Sequence, residues 1–169
     1  MILPLKNTAL QVHPLFPGLL LFGFFTGRSS ILFSVLALLL HECGHLLALR
    51  LFHVRPKHLS LTPFGGLIDL PENHSLSPFG AFATAAAGPA ASLLGCIISL
   101  AAVQKQWLSF PSSFAFLRAN ALLLALNLLP ALPLDGGRML QAILSRFFQR
   151  SSVSRCLLIA GNIAALSLI

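Results

Sequence analysis

Glu42 and Asp135 each lie inside an apolar run, and that placement constrains the fold more than any other feature of the chain. A carboxylate set in hydrocarbon is costly unless it is hydrogen-bonded, paired with a cation or bound to a metal. Only four acidic residues occur in 169. Placing two of them in apolar surroundings marks them for a task other than solubility.

The rest of the composition supports a membrane setting. Hydrophobic residues make up 56% of the chain and charged residues 9%, with mean hydropathy +0.87; soluble domains carry roughly a quarter charged residues. The net charge of +7 does not indicate a nucleic-acid binder. Its Lys and Arg residues are scattered at the ends of apolar runs and form no basic patch interleaved with aromatics. Cys43, Cys96 and Cys156 are odd in number, lie in apolar surroundings and show no CxxC spacing, a pattern that suggests neither a cysteine zinc site nor a disulfide framework and predicts buried, reduced thiols. The N-terminal run has no small-residue cleavage site and reads as a retained anchor.

A membrane-crossing helix needs about 20 mostly apolar residues. The pattern predicts helices near residues 13–27, 31–52, 79–103, 113–130 continuing after a break to 149, and 153–169. The pattern predicts an all-α polytopic membrane protein of about five transmembrane helices. Residues 138–149 fit either a continued span or a segment ending at the interface. Counted for a cytoplasmic N-terminus, eight basic residues fall on the cytoplasmic side (Lys6, Arg50, Arg55, Lys57, Arg138, Arg146, Arg150, Arg155) and three on the other (Arg28, Lys105, Arg118). That asymmetry favours the N-terminus inside.

The polar connection, residues 53–78, contains HLSLTPFGGLIDL at 58–70. Weak alternation around Pro63, Gly65 and Gly66 predicts two short strands in a hairpin, apolar enough to re-enter the membrane against protein or a wet cavity. An interfacial loop with a Gly turn fits the same pattern equally well. The third span carries small residues every four positions, Ala83, Ala87, Ala91, Gly95 and Ser99, which predicts a packing face that supports the site without supplying ligands.

His41 and His45 of HECGH are four residues apart and therefore share one helix face. That spacing grips a single ion, and Glu42 beside the first histidine can take a proton from water activated by the metal, the arrangement of a metalloprotease HExxH helix. Zinc lowers the pKa of such water to about 7 and usually takes three protein ligands, leaving one position open. Asp135 is the best third ligand, because Asp69 and Glu72 lie in the polar connection. At 1.5 Å per helical residue, Asp135 and His45 both fall roughly 15 Å below the same surface. Pro130 and Pro133 should break the fourth span between about Asn127 and Asp135, with Gly136 and Gly137 permitting close backbone approach. Asn127 could bond this opened backbone or a substrate, or make an ordinary interhelical hydrogen bond. His13, His53, His58 and His74 lack the metal spacing and read as interfacial.

HECGH in one span and NLLPALPLDGGR in a later one resemble the site-2 protease family of intramembrane zinc metalloproteases, peptidase family M50. VHPLF, TPFGG and AAAGP extend the resemblance over about residues 12–140. Within the family the pattern is most similar to the sporulation type, which releases a membrane-tethered sigma-factor precursor. The resemblance implies one zinc ion held by His41, His45 and Asp135, with Glu42 as base. It also implies a re-entrant TPFGG hairpin that guides substrate through Phe64, Gly65 and Gly66, and an Asn127 that holds substrate backbone. It further implies a cell-membrane location with the active site toward the cytoplasmic side. The expected partners are the bilayer, a membrane-tethered protein substrate and membrane inhibitor or scaffold proteins. Residues 1–169 read as a single protease domain with a core at about 31–149 and without the CBS domain of the sporulation type. The rival from another class is an intramembrane metal transporter or sensor, which needs the ligands and not Glu42; an inactive scaffold fits the complete ligand and base set less well.

Overall fold

The computed structural model describes residues 2–5, 8–13, 15–62, 65–69, 76–106 and 109–166. Along the chain these form β1 (Ile2–Leu5), β2 (Thr8–Val12), α1 (Leu15–Phe25), α2 (Ser29–Leu51), β3 (His58–Thr62), β4 (Gly65–Asp69), α3 (Pro78–Gln104), α4 (Phe110–Asn127), α5 (Asp135–Leu144) and α6 (Arg150–Leu166). The fold is mostly helical. Two helices, α2 and α3, are long and apolar enough to cross a membrane, and α1 is a shorter apolar helix.

Small residues set the spacing of the bundle. The buried stripe of α3 is Ala85, Gly88, Ser92, Gly95, Ser99 and Ala102, while Leu93, Leu94, Ile97, Ile98 and Leu100 are exposed on its outer side. Steps of three and four average close to the helical repeat, so this stripe stays on one face. A rail of strict four-residue steps drifts around the helix, and Ala83, Ala87 and Ala91 are accordingly only half-buried. They still matter to one contact: a Cβ on Gly44 of α2 would collide with the Ala87 carbonyl and the Ala91 side chain. Further along, Gly95 leaves room for the buried Asn120 of α4. Large apolar side chains contribute a modest core of Phe16, Val35 and Leu38, against which Leu20, Leu39 and Leu123 pack. Large apolar groups on the outside and small or polar groups within are what a bundle in lipid requires.

The helix ends follow local chemistry. Ser77 caps α3 by accepting a hydrogen bond from the Gly80 N–H at 3.1 Å, and Pro78 takes the first turn, where its missing N–H costs nothing. Helix α4 stops at Asn127, and α5 begins at Asp135. The intervening residues include Pro130 and Pro133, neither of which continues a regular helix. Gly136 and Gly137 lie flush against the backbone of Leu128, Leu129 and Ala131, where a Cβ would collide. The break therefore folds back onto the first turn of α5. That helix starts at Asp135, where the break indicated by the sequence ends, and itself ends at Leu144, after which Phe147 and Phe148 are exposed.

The strands add a small sheet, in the order β1-β2-β3-β4, to the helical bundle. Strands β3 and β4 pair antiparallel, Leu61 opposite Gly66 and Thr62 opposite Gly65. Strand β2 pairs parallel with β3, Ala9 opposite His58, which brings the N-terminal segment to the same end of the bundle as β4. Sequence reading places no strand in residues 2–12. One expectation is corrected: Cys43 and Cys156 are exposed and Cys96 is half-buried. An apolar helix face is not always an inner one, and a thiol is apolar enough to sit on the outside of such a bundle.

Candidate metal centre

Helix α2 carries His41, Glu42 and His45 on its buried side, and α5 presents Asp135 from across the bundle. All four are at most 6% exposed, so any charge there is screened little by solvent. His41 Nε2 lies 3.1 Å from Asp135 Oδ2 and 3.3 Å from His45 Nε2. His45 Nε2 is 3.2 Å from the same Asp135 oxygen. These three atoms belong to the one group of potential metal ligands among the described residues.

The outer nitrogens define what the inner ones offer. His45 Nδ1–H donates to the Thr84 carbonyl at 2.8 Å, so its Nε2 carries a lone pair toward the centre. His41 Nδ1 lies 2.9 Å from Ser92 Oγ. With Nδ1–H donating to that hydroxyl, its Nε2 also presents a lone pair. Two lone pairs and a carboxylate oxygen then converge with no proton between them, an arrangement that a cation resolves. For tetrahedral zinc with bonds of about 2.0–2.1 Å, neighbouring ligand atoms lie roughly 3.3 Å apart. The three distances fit that spacing, and two imidazoles with one carboxylate match a catalytic zinc set.

Space is made from α3. A Cβ on Gly88 would collide with Nε2 of His45 and contact Nε2 of His41, so only glycine admits both rings. Glu42 is oriented separately, from the sheet: the Gly66 N–H of β4 donates to its Oε1 at 2.7 Å. Gly66 lies so close to this carboxylate that a Cβ there would strike it.

Two further sequence candidates lie on α4 and β4. Asn127 ends α4, and its side-chain amide donates to the Leu123 carbonyl of its own helix at 3.0 Å. Gly65 opens β4 beside Gly66. Phe64 lies outside the described residues, as do Glu72 and His74. Cys43, on the same helix as the histidines, is exposed. Sequence reasoning missed Thr84, Ser92 and Gly88 as shapers of the centre. The available signal was a serine and a glycine in a stripe of alternating three- and four-residue steps, the same stripe that faces α2.

A His-x-x-x-His pair on one helix, a carboxylate ligand from another and a glutamate beside the first histidine together form a metallopeptidase-type centre. Comparison with known proteins gives the same class. The model of peptidase family M50 matches residues 29–116 and 100–169. The chain belongs to peptidase family M50.

Stage IV sporulation protein FB of Bacillus subtilis is 30% identical over 151 residues, 81% of this chain and 48% of that protein. A Synechocystis protein, sll0528, described as a candidate zinc metalloprotease, is 42% identical over 127 residues, 69% of this chain and 33% of that one. The chain thus spans from a third to about half of the length of these relatives. The structure of a site-2 protease from Methanocaldococcus jannaschii superposes with a TM-score of 0.70 at 22% identity, over 98% of this chain and 81% of that one, a likeness of fold.

Proposed function

We propose that this chain is an intramembrane zinc metalloprotease that hydrolyses a peptide bond of a membrane-tethered regulatory protein. The observation that carries the reading is the buried triad of His41 and His45 from α2 and Asp135 from α5, with Glu42 following His41 on α2. About five spans, an N-terminus on the cytoplasmic side and an active site toward that side complete the topology. The basic residues on that side and the pairing of β2 with β3 support it. The sigma-factor precursor is the favoured substrate class, supported by likeness to the sporulation protein.

His41 Nε2, His45 Nε2 and Asp135 Oδ2 would hold the ion, with Ser92 and the Thr84 carbonyl fixing the rings. Zinc held there supplies Lewis acidity, which makes water nucleophilic near neutral pH and polarises a carbonyl. Glu42 takes the proton that the attacking water gives up and passes it to the leaving amide nitrogen. Burial of the centre excludes bulk water and strengthens each of these interactions.

A transmembrane helix hides its carbonyls in its own hydrogen bonds and must unwind to be cut. Among the described residues strand β4 ends the sheet, and an extended substrate segment can pair with its outer edge. In this role β3 and β4 form a re-entrant hairpin, with Phe64, Gly65 and Gly66 as substrate contacts and Asn127 as a further one. Mass spectrometry of the products from a tethered precursor co-reconstituted in liposomes tests the reading. Cut sites inside or at the edge of the precursor's apolar segment are expected. Cleavage confined to its soluble part would contradict it.

A further inference from the structure

The β3–β4 hairpin does more than lie beside the centre, because one of its backbone groups holds the side chain that handles the proton. Gly66 N–H reaches Glu42 Oε1 at 2.7 Å. A bond of that length to a carboxylate is charge-assisted and among the stronger kinds. Glu42 is 6% exposed, and without a donor its buried charge would carry a desolvation penalty.

The direction of this N–H is equally informative. In an antiparallel ladder, alternate residues point their backbone groups toward the partner strand and away from it. Gly66 sits opposite Leu61 of β3 and yet spends its N–H on Glu42, so its amide points to the outer edge of the sheet. Ile68, two residues on, shares that orientation. The same edge therefore holds the base and offers pairing to an extended chain. No side chain fits at position 66, since a Cβ would strike the carboxylate.

We propose that Gly66 is a positioning residue for Glu42, so that the hairpin sets the rate of turnover as well as the binding of substrate. The N–H anchors Oε1 and leaves Oε2 as the oxygen that exchanges the proton. A substrate strand on β4 is thereby registered by the strand that aims the base. The proposal rests on the protease reading for its consequence, whereas the hydrogen bond itself is testable without any cleavage.

The direct test is hydrogen–deuterium exchange over residues 62–69 of the full chain in lipid nanodiscs, comparing the parent, Glu42→Gln and Glu42→Ala. Gln keeps an oxygen acceptor, so the Gly66 amide should remain protected; Ala removes it, and exchange should quicken at least tenfold. Equal protection in all three proteins overturns the proposal whether or not the chain is a protease. The kinetic arm compares Gly66→Ala with Gly65→Ala at full zinc loading. For Gly66→Ala, kcat should fall about tenfold or more with KM changed less than about threefold. A rise in KM alone, equal in the two variants, overturns the positioning role and leaves Gly66 a substrate contact.

Discussion

His41 Nδ1 lies 2.9 Å from the hydroxyl of Ser92, a side chain with no solvent exposure. The bond ties a ligand on α2 to the inner stripe of α3, and with the His45 to Thr84 bond it makes α3 the template on which both rings are oriented. Outer partners of metal-binding histidines typically contribute 10- to 100-fold in affinity. Ser92→Ala should weaken zinc binding by about that factor, with Ser92→Thr retaining most of it, as measured by competition with a chromogenic chelator. Unchanged affinity in Ser92→Ala would show that packing alone holds the His41 ring.

Asp135 closes the ligand triangle from α5, 3.1 and 3.2 Å from the two histidine nitrogens. Asp135→Ala leaves two ligands on one helix. The variant should lose its zinc on desalting while the parent retains one equivalent by elemental analysis. Stripping the parent with a chelator should abolish cleavage, and added zinc should restore it.

Two glycines govern how closely α2 and α3 approach. Gly44→Ala places a methyl against the Ala87 carbonyl, and the overpacking should cost about 1–3 kcal/mol, read as a lowered Tm in detergent. Gly88→Ala places its methyl among the histidine nitrogens instead. It should lower zinc content as well as Tm, which separates damage at the centre from damage to the bundle.

Asn127 bonds its own helix through Leu123. If its free carbonyl oxygen also contacts substrate, Asn127→Ala should keep a full equivalent of zinc and raise KM severalfold. Zinc retention with an unaltered KM would leave Asn127 as the polar end of α4.

The helices and the centre were legible in the sequence for definite reasons. Apolar runs delimit α2 and α3, Pro130 and Pro133 force the break before Asp135, and the four-residue spacing of His41 and His45 puts two ligands on one face. What stayed hidden depends on partners distant in the chain. Strand β2 pairs with β3 almost fifty positions later, Ala9 with His58, and no local pattern announces that match. Nor does the sequence reveal that a backbone N–H from Gly66 meets Glu42, since any residue type but proline supplies the same group. The stripe on α3 was half legible: its small residues are plain, but a strict four-residue repeat selects Ala83 where burial selects Ala85.

If His41, His45 and Asp135 hold zinc while Glu42 acts on the proton, removing the Glu42 charge separates metal binding from cleavage. Parent and Glu42→Gln are purified in parallel, assayed for bound zinc and incubated with a membrane-tethered sigma-factor precursor. Both proteins should carry one equivalent of zinc, and the parent should cleave the precursor while the variant loses at least about a thousandfold in rate. Cleavage that survives Glu42→Gln, or zinc binding by a parent that cuts no tethered substrate, would contradict this assignment of roles.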